Sequence, residues 1–332
     1  MQRINWIDWA KSIAIIMVVF GHIPENTNNF LIRYICTFHM PLFFFISGYL
    51  SKRQTNLSKN IKKYWHSLII PYFIYNIIFY PYWLARYILD HEEGLSISNI
   101  LAKPIAGVFL GQIETSYSCT VSGVTWFLIA LFIMRVVVDF CNSYKNNIIM
   151  IIFASIIAII IYISSEYYNV MNNLLVKGLT RCLPFYVLGH ILNNAECYKG
   201  TKYSRHATTA IILYTTSIIL FFLIPKDLFW QQIVRSYSIS LVAIFAVLST
   251  CKLLNNYTSK ELINVSTGTI VIMGLHWMFI GSINYCIEKT FKIEGGIHYE
   301  WYTACLLSIA IVIMIYPIIL FTKRHLPIAL GK

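Results

Sequence analysis

Charged residues are scarce in this chain. Only 12% of its 332 residues are Asp, Glu, Lys or Arg, whereas 58% are hydrophobic. A soluble domain usually carries about twice that charged fraction. Because no polar stretch is long enough to form a separate soluble domain, the composition excludes an ordinary globular protein and predicts one membrane domain over residues 1–332.

Cysteine pairs of the kind that bind zinc are also lacking. The eight cysteines are scattered, mostly within or beside apolar runs, and no two of them form a CxxC pair. This spacing predicts neither a zinc site nor a disulfide framework. We therefore expect no metal site and no permanently bound cofactor.

Acidic residues are few as well. The chain has 14 Asp and Glu against 26 Lys and Arg, which gives a net charge of +12. A basic balance can indicate nucleic-acid binding, but here the bases lie in short loops between apolar runs. That distribution is typical of membrane orientation signals, so it predicts contact with membrane lipids and no nucleic-acid partner.

Apolar runs of membrane-spanning length recur along the whole chain. A helix needs about 20 residues to cross a hydrocarbon core of about 30 Å, so the runs predict an all-α polytopic protein with about ten transmembrane helices. We expect the first helix to be retained, because its run has no small-residue cleavage site. The predicted spans are 6–23, 30–50, 67–89, 123–140, 147–164, 176–194, 207–225, 235–252, 265–287 and 301–321.

The charges of the loops predict the orientation of these spans. The segment 51–66 carries only basic charges, Lys52, Arg53, Lys59, Lys62 and Lys63. The segment 90–122 carries Asp90, Glu92, Glu93 and Glu114. Because basic loops face the cytoplasm, both termini are expected inside and residues 90–122 outside. Within that external segment, 100–110 is typical of a short re-entrant or interfacial helix.

The first span carries three ionisable residues. Lys11 and His22 are eleven positions apart, which on a continuous helix places them on one face with roughly 16 Å between them along the axis. Asp8 lies about one turn before Lys11 on the same face. Charges at membrane depth usually serve a function. Alternatively, Asp8 and Lys11 pair with each other, Lys11 reaches the headgroups, and His22 is a hydrogen-bonded interior histidine.

The second span places His39 beside a proline. Pro41 removes a backbone hydrogen bond and bends the helix, while Ser47 and Gly48 permit close helix approach. This arrangement indicates either a cavity lined by His39 or a packed kink in which His39 is satisfied. Arg33 lies near the outer end of the span. His276 and His190, in later spans, are weaker candidates, since interior histidines usually satisfy their hydrogen bonds locally.

The basic segment before the third span has two interpretations. It can serve as an orientation signal that contacts lipid headgroups. It can also be a phosphate-binding surface for a nucleotide-like donor. The candidate donor-binding residues are Lys11, Arg53, Lys59, Lys62, Lys63 and His66.

Several sequence strings resemble a known family. They are 7–14, 19–22, 38–49, 68–72 and 125–128, with weaker matches at 183–189 and 274–276. The base and histidine of the first two strings, Lys11 and His22, followed by FHMPLFFFISGY, form the most specific part. Together they resemble the acyltransferase-3 family of integral membrane acyltransferases, in its fucose-O-acetylase-like branch. The resemblance covers the whole chain.

The resemblance implies a ten-helix membrane domain that transfers acyl groups, most often acetyl from cytoplasmic acetyl-CoA, to surface glycans. It implies that His22 is the catalytic histidine and Lys11 a basic residue on the donor side. Where the family often has paired arginines, this chain has Lys63-Tyr64-Trp65-His66, a departure that affects donor binding. The chain is also expected to lack the extra hydrolase-like domain of some relatives.

The predicted function is therefore O-acyl transfer from acyl-CoA to a glycan or lipid-linked sugar at the bacterial inner membrane. His22 can act as a general base or carry the acyl group itself. His39 is the second catalytic candidate, and the supporting candidates are Asp8, Arg33, Trp126, Arg181 and His276. Two alternatives stay open: a transporter or flippase of a lipid-linked glycan, and a histidine-based enzyme of the other large membrane-bound O-acyltransferase family.

Overall fold

The computed structural model describes residues 3–24, 29–52, 56–90, 96–143, 147–168, 173–194, 203–293 and 295–332. Within these ranges the regular secondary structure is helical. The α-helices are α1 Asn5–Phe20, α2 Phe30–Tyr49, α3 Leu57–Tyr64, α4 Ile70–Asp90, α5 Lys103–Phe109, α6 Trp126–Asn142, α7 Asn147–Tyr168, α8 Leu174–Asn194, α9 Tyr203–Leu223, α10 Phe229–Leu253, α11 Lys260–Thr267, α12 Thr269–Phe291 and α13 Trp301–His325. Two π-helical turns, Trp65–Ile69 and Ser98–Ala102, and a 3-10 turn, Pro327–Leu330, complete the set.

Seven helical stretches in the described part of the chain are long and apolar enough to cross a membrane. They are Phe30–Tyr49, Leu57–Leu89, Ile148–Tyr168, His206–Leu223, Phe229–Leu253, Thr269–Phe291 and Trp301–His325. The other three predicted spans coincide with α1 and α6, of 16 and 17 residues, and with α8, which carries Lys177 and Arg181. The all-α fold of a membrane protein is confirmed, and the count of about ten spans stays a prediction.

The helix of the third predicted span begins earlier than hydropathy indicates. The sequence predicts a span over 67–89 after a basic loop, but helical structure starts at Leu57 and continues through α3 and the first π-helical turn into α4. The reason is a cap, because Asn56 Oδ1 accepts a hydrogen bond from the Lys59 backbone N–H at 3.1 Å. Much of the basic segment is therefore helical.

A helix also forms in the segment predicted to be external. It begins with the π-helical turn at Ser98 and ends with α5 at Phe109, close to the predicted 100–110. Gln112 follows in the left-handed conformation, with φ of 67°, and its side chain is buried. Its Nε2 donates to Asn76 Oδ1 at 2.6 Å, and its Oε1 accepts from the Val121 N–H at 2.8 Å. Gln112 thereby holds this segment onto α4.

One compact unit of the chain comprises Met1–Lys52, Pro184–Thr269 and Ile280–Pro317. In it, α2 and α8 approach closely at two glycines. A Cβ on Gly48 would lie 1.9 Å from the Tyr186 carbonyl oxygen, and one on Gly189 would lie 2.1 Å from the Phe45 carbonyl oxygen. The prediction that Gly48 permits a close helix crossing is confirmed.

Pro41 of α2 lies in the same unit, and it removes one hydrogen bond from the backbone of the helix. Pro41 has no N–H for the Thr37 carbonyl, which is therefore released from the helix. Ser240 of α10 places its Oγ 2.8 Å from that carbonyl oxygen and is itself buried. Ser240 Oγ also lies 2.6 Å from the Ser236 carbonyl oxygen of its own helix, so its single proton is shared between the Thr37 and Ser236 carbonyls.

The other compact unit comprises Arg53–Leu183, Ile270–Phe279 and Ile318–Lys332. Its C-terminal turn packs on the π-helical turn that precedes α4. Gly331 has φ of 72°, and a Cβ there would lie 2.3 Å from the Ser67 carbonyl oxygen. Ala329 and Leu330 are buried in this contact region. The C-terminal residues therefore lie beside the basic helical segment.

Candidate functional site

Asp8 is buried in the first turn of α1, and its carboxylate binds Arg3, which precedes α1, and Ser266, which lies in α11. The Arg3 guanidinium makes a bidentate contact, with Nε 2.6 Å from Oδ2 and Nη2 3.0 Å from Oδ1. The Ser266 hydroxyl, which is buried in α11, donates to Oδ1 at 2.5 Å. A buried carboxylate needs such partners to offset its desolvation. Neither partner was predicted from the sequence, because their pairing with Asp8 depends on tertiary placement.

The short helix that supplies Ser266 is fixed at its N-terminus. Ser259 Oγ accepts a hydrogen bond from the Leu262 N–H at 3.1 Å, which is an N-cap. Hydrogen bonds from its own backbone N–H and from the Ser259 hydroxyl lower the pKa of the Glu261 carboxyl. Glu261 is therefore negatively charged at neutral pH, and a negative charge in the first turn of a helix is favourable.

His22 lies just past the end of α1 rather than on it. The helix ends at Phe20, and the His22 N–H bonds to the Val19 carbonyl at 3.1 Å, which is a tighter turn than an α-helix makes. The sequence predicts that Lys11 and His22 share one face of a continuous helix over 6–23. That prediction is wrong at the C-terminal end of the span, because the helix stops before His22. Gly21 is the C-cap residue of the helix.

The ring of His22 has a defined orientation. Its Nδ1 lies 2.7 Å from the Val18 carbonyl oxygen, which only accepts hydrogen bonds, so Nδ1 carries the proton. In the neutral ring the lone pair is then on Nε2. The residue is partly exposed.

His39 and His276 have the same backbone contact but are buried. His39 Nδ1 lies 3.0 Å from the Ile35 carbonyl oxygen, and His276 Nδ1 lies 3.0 Å from that of Ile272. His39 is 8% exposed and His276 is 0% exposed. Because the His39 ring is buried and contacts a carbonyl of its own helix, the packed-kink interpretation of the second span is favoured over a cavity lined by His39.

The other basic candidates of the first unit are His190, Lys11 and Arg33. His190 Nδ1 lies 2.6 Å from Ser51 Oγ, so this ring fastens α8 to the end of α2. Lys11 is partly buried on α1, and Arg33 is exposed near the start of α2. Lys252, which sequence reasoning missed, is buried near the end of α10 with its Nζ 5.8 Å from the centre of the Trp6 ring.

The predicted donor-binding lysines of the second unit share one short helix. Lys59, Lys62 and Lys63 are all exposed on α3, and His66 is exposed in the π-helical turn that follows. We call Lys59, Lys62, Lys63 and His66 the basic face. A cluster of exposed cations on one element can bind phosphate oxygens. Arg53, the remaining predicted member, lies outside the described residues.

The opposite side of α3 is buried against α6. Asn60 and Tyr64 are buried, and both donate to Oδ2 of Asp139, at 2.8 Å and 2.7 Å. The Arg135 guanidinium lies over the Tyr64 ring, 5.3 Å from its centre. Sequence reasoning missed Asp139, although an acid inside a predicted span at 123–140 was a signal that could have found it.

Two supporting candidates of the second unit pack between α6, α7 and α8. Trp126 is buried, and a Cβ on Gly178 would lie 2.2 Å from its ring. Arg181 is partly buried in α8. One turn away in the same helix, Lys177 Nζ lies 2.9 Å from Glu166 Oε1 of α7. This pair explains how α8 carries charge along a predicted span.

The structure thus groups the predicted residues in two sets. The first unit holds Asp8, Lys11, His22, Arg33 and His39, and the second holds Lys59, Lys62, Lys63, His66, Trp126, Arg181 and His276. Within the first set, His22 combines partial exposure with a fixed tautomer. Within the second, the basic face is the exposed cationic surface, and it rests on Asp139.

Comparisons with known proteins show the family of the chain. A family model described as an acyltransferase domain, that of the acyltransferase-3 family, matches residues 4–322. Nodulation protein NolL of Mesorhizobium japonicum is 23% identical over 228 residues, which are 65% of this chain and 55% of that protein. The chain thus spans about half the length of this curated relative. No solved structure matches the chain. Since the family model covers nearly the whole chain, the protein belongs to the acyltransferase-3 family of membrane acyltransferases.

Proposed function

We propose that the protein is an O-acyltransferase that moves an acyl group, acetyl in the simplest case, from cytoplasmic acyl-CoA to a hydroxyl of a surface glycan. O-antigen and capsular polysaccharide are the acceptor classes that we propose. The observation that carries this proposal is the family match over residues 4–322. The fixed tautomer of His22 and the exposed basic face support it.

His22 is the proposed general base. Its Nε2 takes the proton of the acceptor hydroxyl as the hydroxyl oxygen attacks the thioester carbonyl carbon. The carbon–sulfur bond then breaks, and the proton passes to the departing CoA sulfur. The Nδ1 contact with Val18 favours this role, because it holds the ring in the tautomer that has a basic Nε2. His39, whose ring is buried, is the second catalytic candidate.

The basic face is the proposed donor site. CoA carries several phosphates and cannot cross a bilayer, so its charged part must stay at the cytoplasmic surface. Lys59, Lys62 and Lys63 offer cations for these phosphates. Lys11 is proposed as a further donor-side base, in line with the family resemblance. Lipid headgroups compete for the same cations, so donor binding should weaken as anionic lipid increases.

The proposed topology has ten spans with both termini in the cytoplasm of a bacterial inner membrane. The C-terminal turn supports it, since Gly331 packs on Ser67 next to the basic helical segment. Basic segments face the cytoplasm, and the C-terminus, which packs beside the basic face, is proposed to lie on the same side. Residues 90–122 are then external.

Transfer of labelled acetyl tests the proposed function directly. The full-length protein in lipid vesicles is given radiolabelled acetyl-CoA and a polysaccharide preparation from cells that lack the gene. We expect label in the polysaccharide that is released by mild base, as O-esters are. A protein that moves lipid-linked glycan across the membrane and incorporates no label would be a transporter or flippase, and the proposal would be wrong.

A further inference from the structure

The basic face lies at the N-terminal end of a longer helical stretch. Helix α3, from Leu57 to Tyr64, continues through the π-helical turn Trp65–Ile69 into α4. The Asn56 cap satisfies one backbone donor at its start. Because helix ends fray, the contacts of the buried side of α3 determine how firmly the lysines are held in place.

Those contacts converge on one carboxylate. Asp139 is 4% exposed, and its Oδ2 accepts hydrogen bonds from Asn60 Nδ2 at 2.8 Å and from Tyr64 Oη at 2.7 Å. Asn60 and Tyr64 are four residues apart, so one carboxylate oxygen binds side chains from successive turns of α3. Burial disfavours the charge of Asp139, and these bonds, with the nearby charges of Arg135 and Lys63, offset part of that cost.

We propose that Asp139 is a positioning residue for donor binding, which fixes α3 through Asn60 and Tyr64 and so holds Lys59, Lys62 and Lys63 as a preformed anion-binding surface. The inference rests on the proposed function, because the anion is taken to be the phosphates of the acyl-CoA donor. Binding to a surface that is already ordered avoids the entropy cost of ordering it. Loss of the carboxylate should therefore weaken donor binding without touching the donor.

Asp139→Asn is the first test, since it keeps the size of the side chain and removes its charge. The amide oxygen of Asn can still accept from Asn60 and Tyr64, but a neutral acceptor makes weaker hydrogen bonds than a carboxylate, so we expect the Kd for CoA to rise by about tenfold. Hydrogen exchange of the α3 backbone amides should become faster by a similar factor. The kcat at saturating donor and the KM for the acceptor should not change, which a general loss of structure would not produce.

Salt dependence separates positioning from direct contact. The lysines remain in Asp139→Asn, so the slope of log Kd for CoA against log salt concentration should stay near the wild-type value. Replacing Lys62 and Lys63 with Gln removes the contacts themselves and should flatten that slope. The matched control is Glu166→Gln, which removes another acid of the same unit that pairs with Lys177 in α7 and α8. It should leave the Kd for CoA unchanged.

Tyr64→Phe provides a second variant if Asp139→Asn does not fold. It removes one hydroxyl and keeps the ring beneath Arg135, and it should also raise the Kd for CoA and speed α3 exchange. Wild-type CoA affinity in a folded Asp139→Asn or Tyr64→Phe protein would overturn the positioning role, whether or not exchange changes. A wild-type protein that binds no CoA would instead contradict the proposed donor.

Discussion

At the residue scale, the proposed mechanism depends on which ring nitrogen of His22 is basic. Backbone carbonyls one helical turn back hold Nδ1 of His22, His39 and His276. All three rings therefore keep their lone pair on Nε2 when neutral. Partial exposure distinguishes His22 from the other two, which are buried. His22 is also the residue that the family resemblance implies as the catalytic histidine.

Charge reversal at Lys62 and Lys63 is a residue-scale prediction. Both side chains are exposed and cationic, and phosphate binding requires such groups. Replacing both with Glu should raise the donor KM by about tenfold or more at low salt, and the effect should shrink as salt screens the charges. Kinetics with varied acetyl-CoA at two salt concentrations measure this. A donor KM equal to that of the wild type would contradict donor binding by these lysines and would leave them as orientation signals only.

At the element scale, hydropathy and helical periodicity account for most of the fold. Apolar runs predict the long helices because their length follows from the thickness of the bilayer. The start of α3 at Leu57 escaped prediction, since its residues are polar and its order comes from the Asn56 cap and from Asp139. Pairings such as Arg3 with Asp8, or Ser240 with the Thr37 carbonyl, depend on which helices become neighbours, and no local pattern encodes that.

The crossing of α2 and α8 gives an element-scale prediction. A methyl group at Gly48 would lie 1.9 Å from the Tyr186 carbonyl oxygen, which belongs to backbone and cannot rotate away. Gly48→Ala should therefore destabilise the protein by about 1–3 kcal/mol or more and lower its thermal unfolding temperature in detergent. Ser47→Ala is the matched control, because it removes an atom from the neighbouring residue. Equal unfolding temperatures for Gly48→Ala and the wild type would contradict the close crossing.

At the scale of the whole molecule, orientation in the membrane decides which residues meet the donor. The charge asymmetry predicts that the segment 51–66 is cytoplasmic and the segment 90–122 external. In intact cells, an impermeant thiol reagent should label a cysteine placed at Tyr117, which is 82% exposed, and should not label one placed at Asn56. The unmodified protein is the control for its own cysteines. Labelling at Asn56 in intact cells would show that the segment 51–66 is external. The basic face could then not bind a cytoplasmic donor.

The residues with proposed roles lie in two compact units of the chain. One unit holds His22, the proposed base, and the other holds the basic face, the proposed donor site. The sequence predicts both sets of residues, and the family match supports the activity. The sequence does not predict that Asp139 supports the basic face. That contact forms only when Asn60 and Tyr64 of α3 pack against Asp139 of α6.

The most direct test of acyl transfer by this protein is the activity of His22→Gln. Glutamine can keep a hydrogen bond to the Val18 carbonyl but cannot take a proton at neutral pH. We expect transfer of labelled acetyl to the glycan to fall by about 10²-fold or more, with normal membrane insertion and normal CoA affinity. His22→Ala should behave in the same way. Near-normal transfer by His22→Gln would contradict the account, since His22 would then be structural and another group would be the base.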